Sequence, residues 1–232
     1  MLLLVTAAFA QQFDVASIKP VDAGGRESIE ARPGSVTMHN VRLRAAIRWA
    51  YDVKEYQVAA PAWMGSPGWL GRDIARFDIA AKAPEGTPVA KLRTMMQALL
   101  AERFHVRLHR ESREMTVFLL SAPKPKPVLS PAPEAQGPGR LSGNGGDLVL
   151  TGMSMAEFAE FLAGPLRVPV LDRTGLAGRF DFTISGKMME GEEMISAVSA
   201  AIEDQLGLKL QRQKAPIEMV VVDRADQKPT EN

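Results

Sequence analysis

Two histidines four residues apart, His105 and His109 in "AERFHVRLHRESREMTVFLLS" (101–121), are the first residues whose type and spacing suggest chemistry. On a helix they would share a face and reach one metal ion. On a strand, at about 3.3 Å per residue, positions four apart lie roughly 13 Å from each other, too far for two bonds of about 2 Å to one ion. Val106 and Leu108 alternate with His105, Arg107 and His109, which is the period of a half-buried strand. The pattern predicts a strand over 105–111 and no shared metal. His39 reads as an ordinary polar strand residue.

Other candidates carry a structural alternative beside the chemical one. "GMSMA" around Ser154 approaches a nucleophile elbow but lacks its second glycine, while Ser154 and Glu157 form a Ser-x-x-Glu capping box. Asp172 and Asp181 in "LDRTGLAGRFDF" fall on neighbouring strands of a hairpin and would serve as an acid/base pair for a hydrolase. Asp172 equally suits a turn, with Arg173 or Arg179 as a surface partner. All three tryptophans and both tyrosines lie between Trp49 and Trp69. Trp63 and Trp69 sit in a Pro/Gly-rich loop, where a large ring either plugs the core edge or stays exposed for a ligand. Tyr56, Trp63 and Trp69, with Asp172 and Arg173, are therefore the ligand-binding candidates. No catalytic residue is assigned, and the glycines of "GPGRLSGNGG" fit neither phosphate-binding pattern, so no cofactor is expected.

Helices and strands must position these groups. "TPVAKLRTMMQALLAERF" offers Thr87 as cap, Pro88 at the first helical position and an apolar stripe of Leu92, Met95, Met96, Leu99 and Leu100. "GEEMISAVSAAIEDQLG" places Ile195, Val198, Ile202 and Leu206 on one face and stops at Gly207. Earlier helices are expected around Leu43, Ala46, Ile47, Ala50 and Tyr51, and around Met155, Phe158, Ala159 and Leu162.

The chain also seems written twice only if its halves are aligned in blocks. "FHVRLHRESREMTVFLLS" matches "LGLKLQRQKAPIEMVVVD" 102 residues on, "RFDIAAK" matches "RFDFTISGK" 103 on, and "VTMHNVRLRAAI" matches "LVLTGMSMAEFA" 112 on. These blocks predict an α+β fold of two related halves, 11–122 and 147–232, each a mostly antiparallel sheet with two helices on one face in βαββαββ order. "FDVASIKP" adds a strand at the front. Residues 123–146, with six of the sixteen prolines in 123–139, read as an extended Pro/Gly-rich linker.

Composition narrows the function classes. The 28 basic and 27 acidic residues nearly cancel, giving no reason to expect a nucleic-acid partner, and with no cysteine there is neither a disulfide frame nor a thiol nucleophile. "MLLLVTAAFAQQ" has an apolar run closing on Ala8-Phe9-Ala10, a signal-peptidase pattern that makes residues 1–10 a signal-peptide remnant. The missing basic n-region points to a start upstream of Met1. The run is too short for the roughly 20 residues of a bilayer span. An exported, periplasmic or extracellular protein without a transmembrane span is expected.

"FDVASIKP", "PGWLGRDIARFDIAAKAP", "LLAERFHVRLHRESREMTVFLL", "VLDRTGLAGRFDF" and "VVVDRADQKPTEN" together resemble the soil-associated DUF3738 family over nearly the whole mature chain. The resemblance implies an exported protein of the kind abundant in Acidobacteria, with no activity to carry onto residues. Some relatives look like the extracytoplasmic part of BlaR-type membrane metallopeptidases, which implies sensing. "VTMHNVRLRAAIRWAY" is similar to the short N-terminal modules of secretins and TonB-dependent receptors, which make protein contacts. The combined expectation is a non-catalytic module binding or sensing an envelope protein, peptide or glycan, with a hydrolase acting near Asp172 and Asp181 as the alternative.

Overall fold

A computed structural model describes residues 12–22, 24–65, 74–123, 127–135, 137–144, 147–185 and 192–230. The apolar run before Gln11, and Trp69, lie outside them. In chain order the first elements are β1 (Val15–Val21), β2 (Ser28–Arg32), β3 (Ser35–Arg42), α1 (Leu43–Tyr51), β4 (Val58–Ala59), β5 (Arg76–Lys82), α2 (Val89–Arg103) and β6 (Arg107–Ser121). There follow β7 (Ser130–Pro131), β8 (Arg140–Asn144), β9 (Asp147–Met153), α3 (Met155–Leu166), β10 (Val170–Asp172), β11 (Phe180–Ser185), α4 (Glu192–Ala201), a π-helical turn (Ile202–Leu206) and β12 (Lys209–Arg224). The fold is α+β. Two compact units form, one from residues 1–113 with 217–232 and the other from 114–216.

Unit 1 holds an antiparallel sheet in the order β1-β5-β3-β2. Val36, Met38 and Val41 of β3 and Phe77, Ile79 and Ala81 of β5 are buried, and they share one core with Leu43, Ala46, Ile47 and Ala50 of α1 and the whole expected stripe of α2. Burying such side chains stabilises by about 1.5–3 kcal/mol each, enough to hold a nine-residue helix that would not persist alone. Phe77 and Phe104 meet edge to face at 4.9 Å between centroids. Side chains of α2 close the end of α1: Arg93 donates to the Trp49 carbonyl and stacks 5.0 Å over its ring, and Gln97 donates to the Ala50 carbonyl at 2.9 Å. Thr87, expected to cap α2, instead donates its hydroxyl to the Pro84 carbonyl, and Pro88 stands at the cap position.

Unit 2 has the sheet order β7-β11-β9-β8, again antiparallel. Leu150, Met153 and Phe182 share a core with Met155, Phe158, Ala159 and Leu162 of α3 and with Ile202 and Leu206, and Phe158 meets Phe182 edge to face at 5.0 Å. Gly207, in the left-handed region at φ +66°, closes the helical segment where the sequence expects a stop. β6 and β12 are neighbours in a further sheet and each belongs to both units. Within unit 1 β12 carries β4 in parallel, Val220 facing Val58; within unit 2 β6 carries β10 in parallel, Val170 facing Phe118.

Several local expectations differ from this architecture. Asp172 and Asp181 do not fall on the two strands of one hairpin: β10 pairs with β6, and β11 with β7 and β9. A hairpin rather than one strand precedes each first helix: β2 is a five-residue edge strand whose short alternation, Ile29 and Ala31, packs on the unit 1 core, and β8 is a polar edge strand with no such alternation. The Pro/Gly-rich stretch 123–146 supplies β7 and β8: its extended backbone pairs at the sheet margin, where a proline costs no internal ladder bond. His105 precedes β6 rather than lying in it, at φ +50°, although Val106 is buried and Leu108 packs against the core as the alternation requires.

Candidate functional site

The groups singled out for acid, base or nucleophilic work in unit 2 are engaged with backbone. A bulge lies between Leu150 and Met153 of β9, opposite Phe182 and Phe180, and leaves Gly152 at φ +57°. Asp181 accepts the Gly152 N–H at 2.7 Å, and Arg179 donates to the Gly152 carbonyl. Ser154 caps α3 in the expected box, accepting the Glu157 N–H while Glu157 accepts the Ser154 N–H at 2.8 Å. Its hydroxyl also donates to Glu157 at 2.9 Å, so the group that holds its proton is the carboxylate that completes the cap. Burial pushes the Glu157 carboxyl up, but hydrogen bonds from Ser154, Arg179 and the Gly139 N–H outweigh it and bring it down to about 2. Asp172 accepts both the N–H and the hydroxyl of Thr174, at 2.9 and 2.7 Å, in the turn form of the two expected alternatives. Arg173 beside it is exposed, its guanidinium 3.5 Å from the Asp172 carbonyl.

Unit 1 has the same clamp. The bulge falls between Met38 and Val41, opposite Ile79 and Phe77, with Asn40 at φ +53°. Asp78 accepts the Asn40 N–H at 2.8 Å and Arg76 donates to its carbonyl at 2.8 Å. The third charge is Glu27, 3.5 Å from Arg42 and 3.8 Å from Arg76. The paired "RFD" triplets are thus backbone clamps, which spacing alone does not reveal.

The aromatic loop of unit 1 is braced from below. Arg44, 4% exposed, donates to Glu55 at 2.6 Å, to the Glu55 carbonyl at 3.0 Å and to the Val58 carbonyl at 2.5 Å, and Arg48 reaches the same carboxylate at 3.2 Å. Gln57 donates to the Glu218 carbonyl. Tyr56 and Trp63, each in a single 3-10 turn, are half-buried, and Trp63 packs one side against the core. Tyr56 and Trp63 thus belong to one unit and Asp172 and Arg173 to the other.

The histidines each take their own carboxylate. His105 Nδ1 lies 2.7 Å from Asp226, and His109 Nδ1 2.9 Å from Asp223 with Glu111 3.5 Å from its other nitrogen. The Asp223 hydrogen bond raises the His109 imidazole above its ordinary value, burial opposing and Glu111 assisting, while Arg113 holds Glu111 below the usual carboxylate range. No three His, Asp or Glu among the described residues converge as metal ligands. His105 and Asp226 do, however, line a cavity of about 350 Å³ with Ala101, Val106, Arg107 and Arg224. Its backbone is fixed by the Asp226 N–H on the Phe104 carbonyl and the Val106 N–H on that of Leu100. Sequence reasoning missed this grouping because Asp226 stands 121 residues from His105; the only trace is the acidic spacing of "VVVDRAD" after an apolar run.

No curated protein and no solved structure matches the chain. The model of one family does, over residues 44–225, a span that takes in the Arg44 brace, the Gly152 clamp and both His105 and His109. The chain belongs to the family described as protein of unknown function, DUF3738.

Proposed function

We propose that this is a non-catalytic binding or sensing module, exported to the cell envelope and built of two related halves. The observation that carries the reading is the engagement of the candidate catalysts: Ser154, Asp181 and Asp172 all hold backbone or neighbouring groups in turns, caps and bulges. A hydrolase acting through Asp172 and Asp181 would need at least one of these carboxylates facing a substrate. The apolar run ending at Ala10 supports export, with Gln11 as the first mature residue.

Kinship of the halves is supported by position. β3, α1 and β4 begin at Ser35, Leu43 and Val58; β9, α3 and β10 begin at Asp147, Met155 and Val170, each 112 residues on. α2 and α4 begin 103 apart and β6 and β12 begin 102 apart, the same separations as the sequence blocks.

The contact surface of unit 1 is the braced loop bearing Tyr56 and Trp63, with Trp69 as the candidate that lies outside the described residues; in unit 2 the exposed Arg173 and its neighbour Asp172 are a separate candidate contact. Its partner is an envelope protein, peptide or glycan that stacks on aromatic rings. The test uses the mature chain as bait on envelope extract, beside Trp63→Ala and Tyr56→Ala proteins whose fold is verified by circular dichroism. Retention of a defined component by the wild type, lost in both variants, supports the reading; equal retention by all three, or none, removes it.

A further inference from the structure

The cavity lined by His105, Arg107, Arg224 and Asp226 is independent of the aromatic loop, and its charges do not balance. Two arginines line it with a single carboxylate. Asp226 is already engaged, one oxygen 2.7 Å from His105 Nδ1 and the other 4.0 Å from Arg224. The Arg107 guanidinium makes no hydrogen bond or ion pair among the described residues, so the lining holds a fork of donors without an acceptor to meet it.

We propose that this cavity binds a small molecule through its oxyanion group, a carboxylate or a phosphate monoester. Arg107 and Arg224 would supply the forked donors that match either group, with His105, held through Nδ1 by Asp226, standing beside them on the wall. Ala101 and Val106 give the cavity a small apolar wall for the rest of the ligand. The volume lies at the lower end of the range for small-molecule sites, about 300–1,000 Å³. An opposing effect exists, because the C-terminal end of α2 borders the cavity and a helix carries partial negative charge there. It is blunted here: the Leu100, Arg103 and Phe104 carbonyls each accept a backbone N–H, from Phe104, Thr230 and Asp226 respectively. With Asp226 counted against the two arginines, one net positive charge still outweighs what remains. A cation is disfavoured for the same reason, and the lining has no hydroxyl or thiol through which the His105–Asp226 pair would do covalent chemistry.

The test titrates the full chain by NMR with phenyl phosphate, benzoate and neutral benzamide at low salt. Saturable binding of an anion, weakened about tenfold or more by Arg107→Gln and by Arg224→Gln and unchanged by Arg113→Gln, supports the site; such a loss corresponds to one charge-assisted hydrogen bond. Preference for phenyl phosphate over benzoate, or the reverse, identifies the headgroup. Absence of saturable binding by either anion, equal binding of benzamide, or anion binding untouched by both lining variants would overturn it. Because these arginines are exposed, circular dichroism of the variants should match that of the wild type.

Discussion

In unit 1 the bulge at Asn40 leads into α1 without any side-chain cap, whereas in unit 2 the bulge at Gly152 leads into α3 through the Ser154–Glu157 box. Both bulges are gripped by an arginine on the carbonyl and an aspartate on the N–H. The acid that completes the cluster has a different origin in each. Glu27 reaches in from the segment before β2, while Glu157 rises from the first turn of the helix and serves cap, arginine and the Gly139 N–H together. The pair teaches that the backbone distortion sets the demand and that side chains meet it from whatever element lies near. Unit 1 then adds a device that unit 2 lacks at the equivalent sequence interval: 112 residues after Arg44 stands Ala156.

The largest effect should come from that asymmetry. Glu55→Ala leaves Arg44 buried with carbonyls alone and should cost unit 1 about 3 kcal/mol, measured by urea unfolding followed through tryptophan fluorescence, which reports unit 1 only. An effect below about 1 kcal/mol would break the claim that the loop hangs from this pair.

Glu157→Gln should cost unit 2 about 2 kcal/mol, since one carboxylate meets several donors, and the readout is unfolding followed by far-UV circular dichroism. Its acid dependence sharpens the comparison. A carboxyl whose folded value is depressed stabilises above its unfolded value and loses that contribution as protons bind the native state. Stability of unit 2 should therefore fall as pH drops from about 4.5 toward about 2, and the slope should flatten in Glu157→Gln.

Smaller effects probe the bulges themselves. Gly152→Ala forces a side chain into the left-handed region with its Cβ 2.7 Å from that of Ala135, and should cost about 1–2 kcal/mol in thermal unfolding. Asn40→Gly loses the Nδ2 hydrogen bond to Gly25 but also an unbonded buried Oδ1 and the strain of positive φ, so stability should move by no more than about 0.5 kcal/mol.

Features set by neighbours along the chain were legible. The Ser154–Glu157 box, the Leu92–Leu100 stripe and the Val106/Leu108 alternation rest on spacings of two to four residues and appear as expected. Features set by distant partners were not. Asp78 meets Asn40 across 38 residues and Asp226 meets His105 across 121, and neither side of such a pair signals the other locally. The edge strands β7 and β8 escaped for another reason: lying at a sheet margin, they need no apolar face. Among the site candidates, the aromatic crowding between Trp49 and Trp69 was visible, but the buried Arg44 that braces it looks in sequence like any solvated helix arginine.

Residues 217–230 complete a unit whose other members end at Arg113, while 114–216 form theirs without interruption. Synthesis from the amino end therefore finishes the inner segment before the outer one has its closing strand. A purified chain ending at Pro216 should carry a protease-resistant 114–216 fragment beside a digestible 12–113, and the chain that retains the remaining residues should protect both. Loss of the final segment should thus strip the outer unit and spare the inner one.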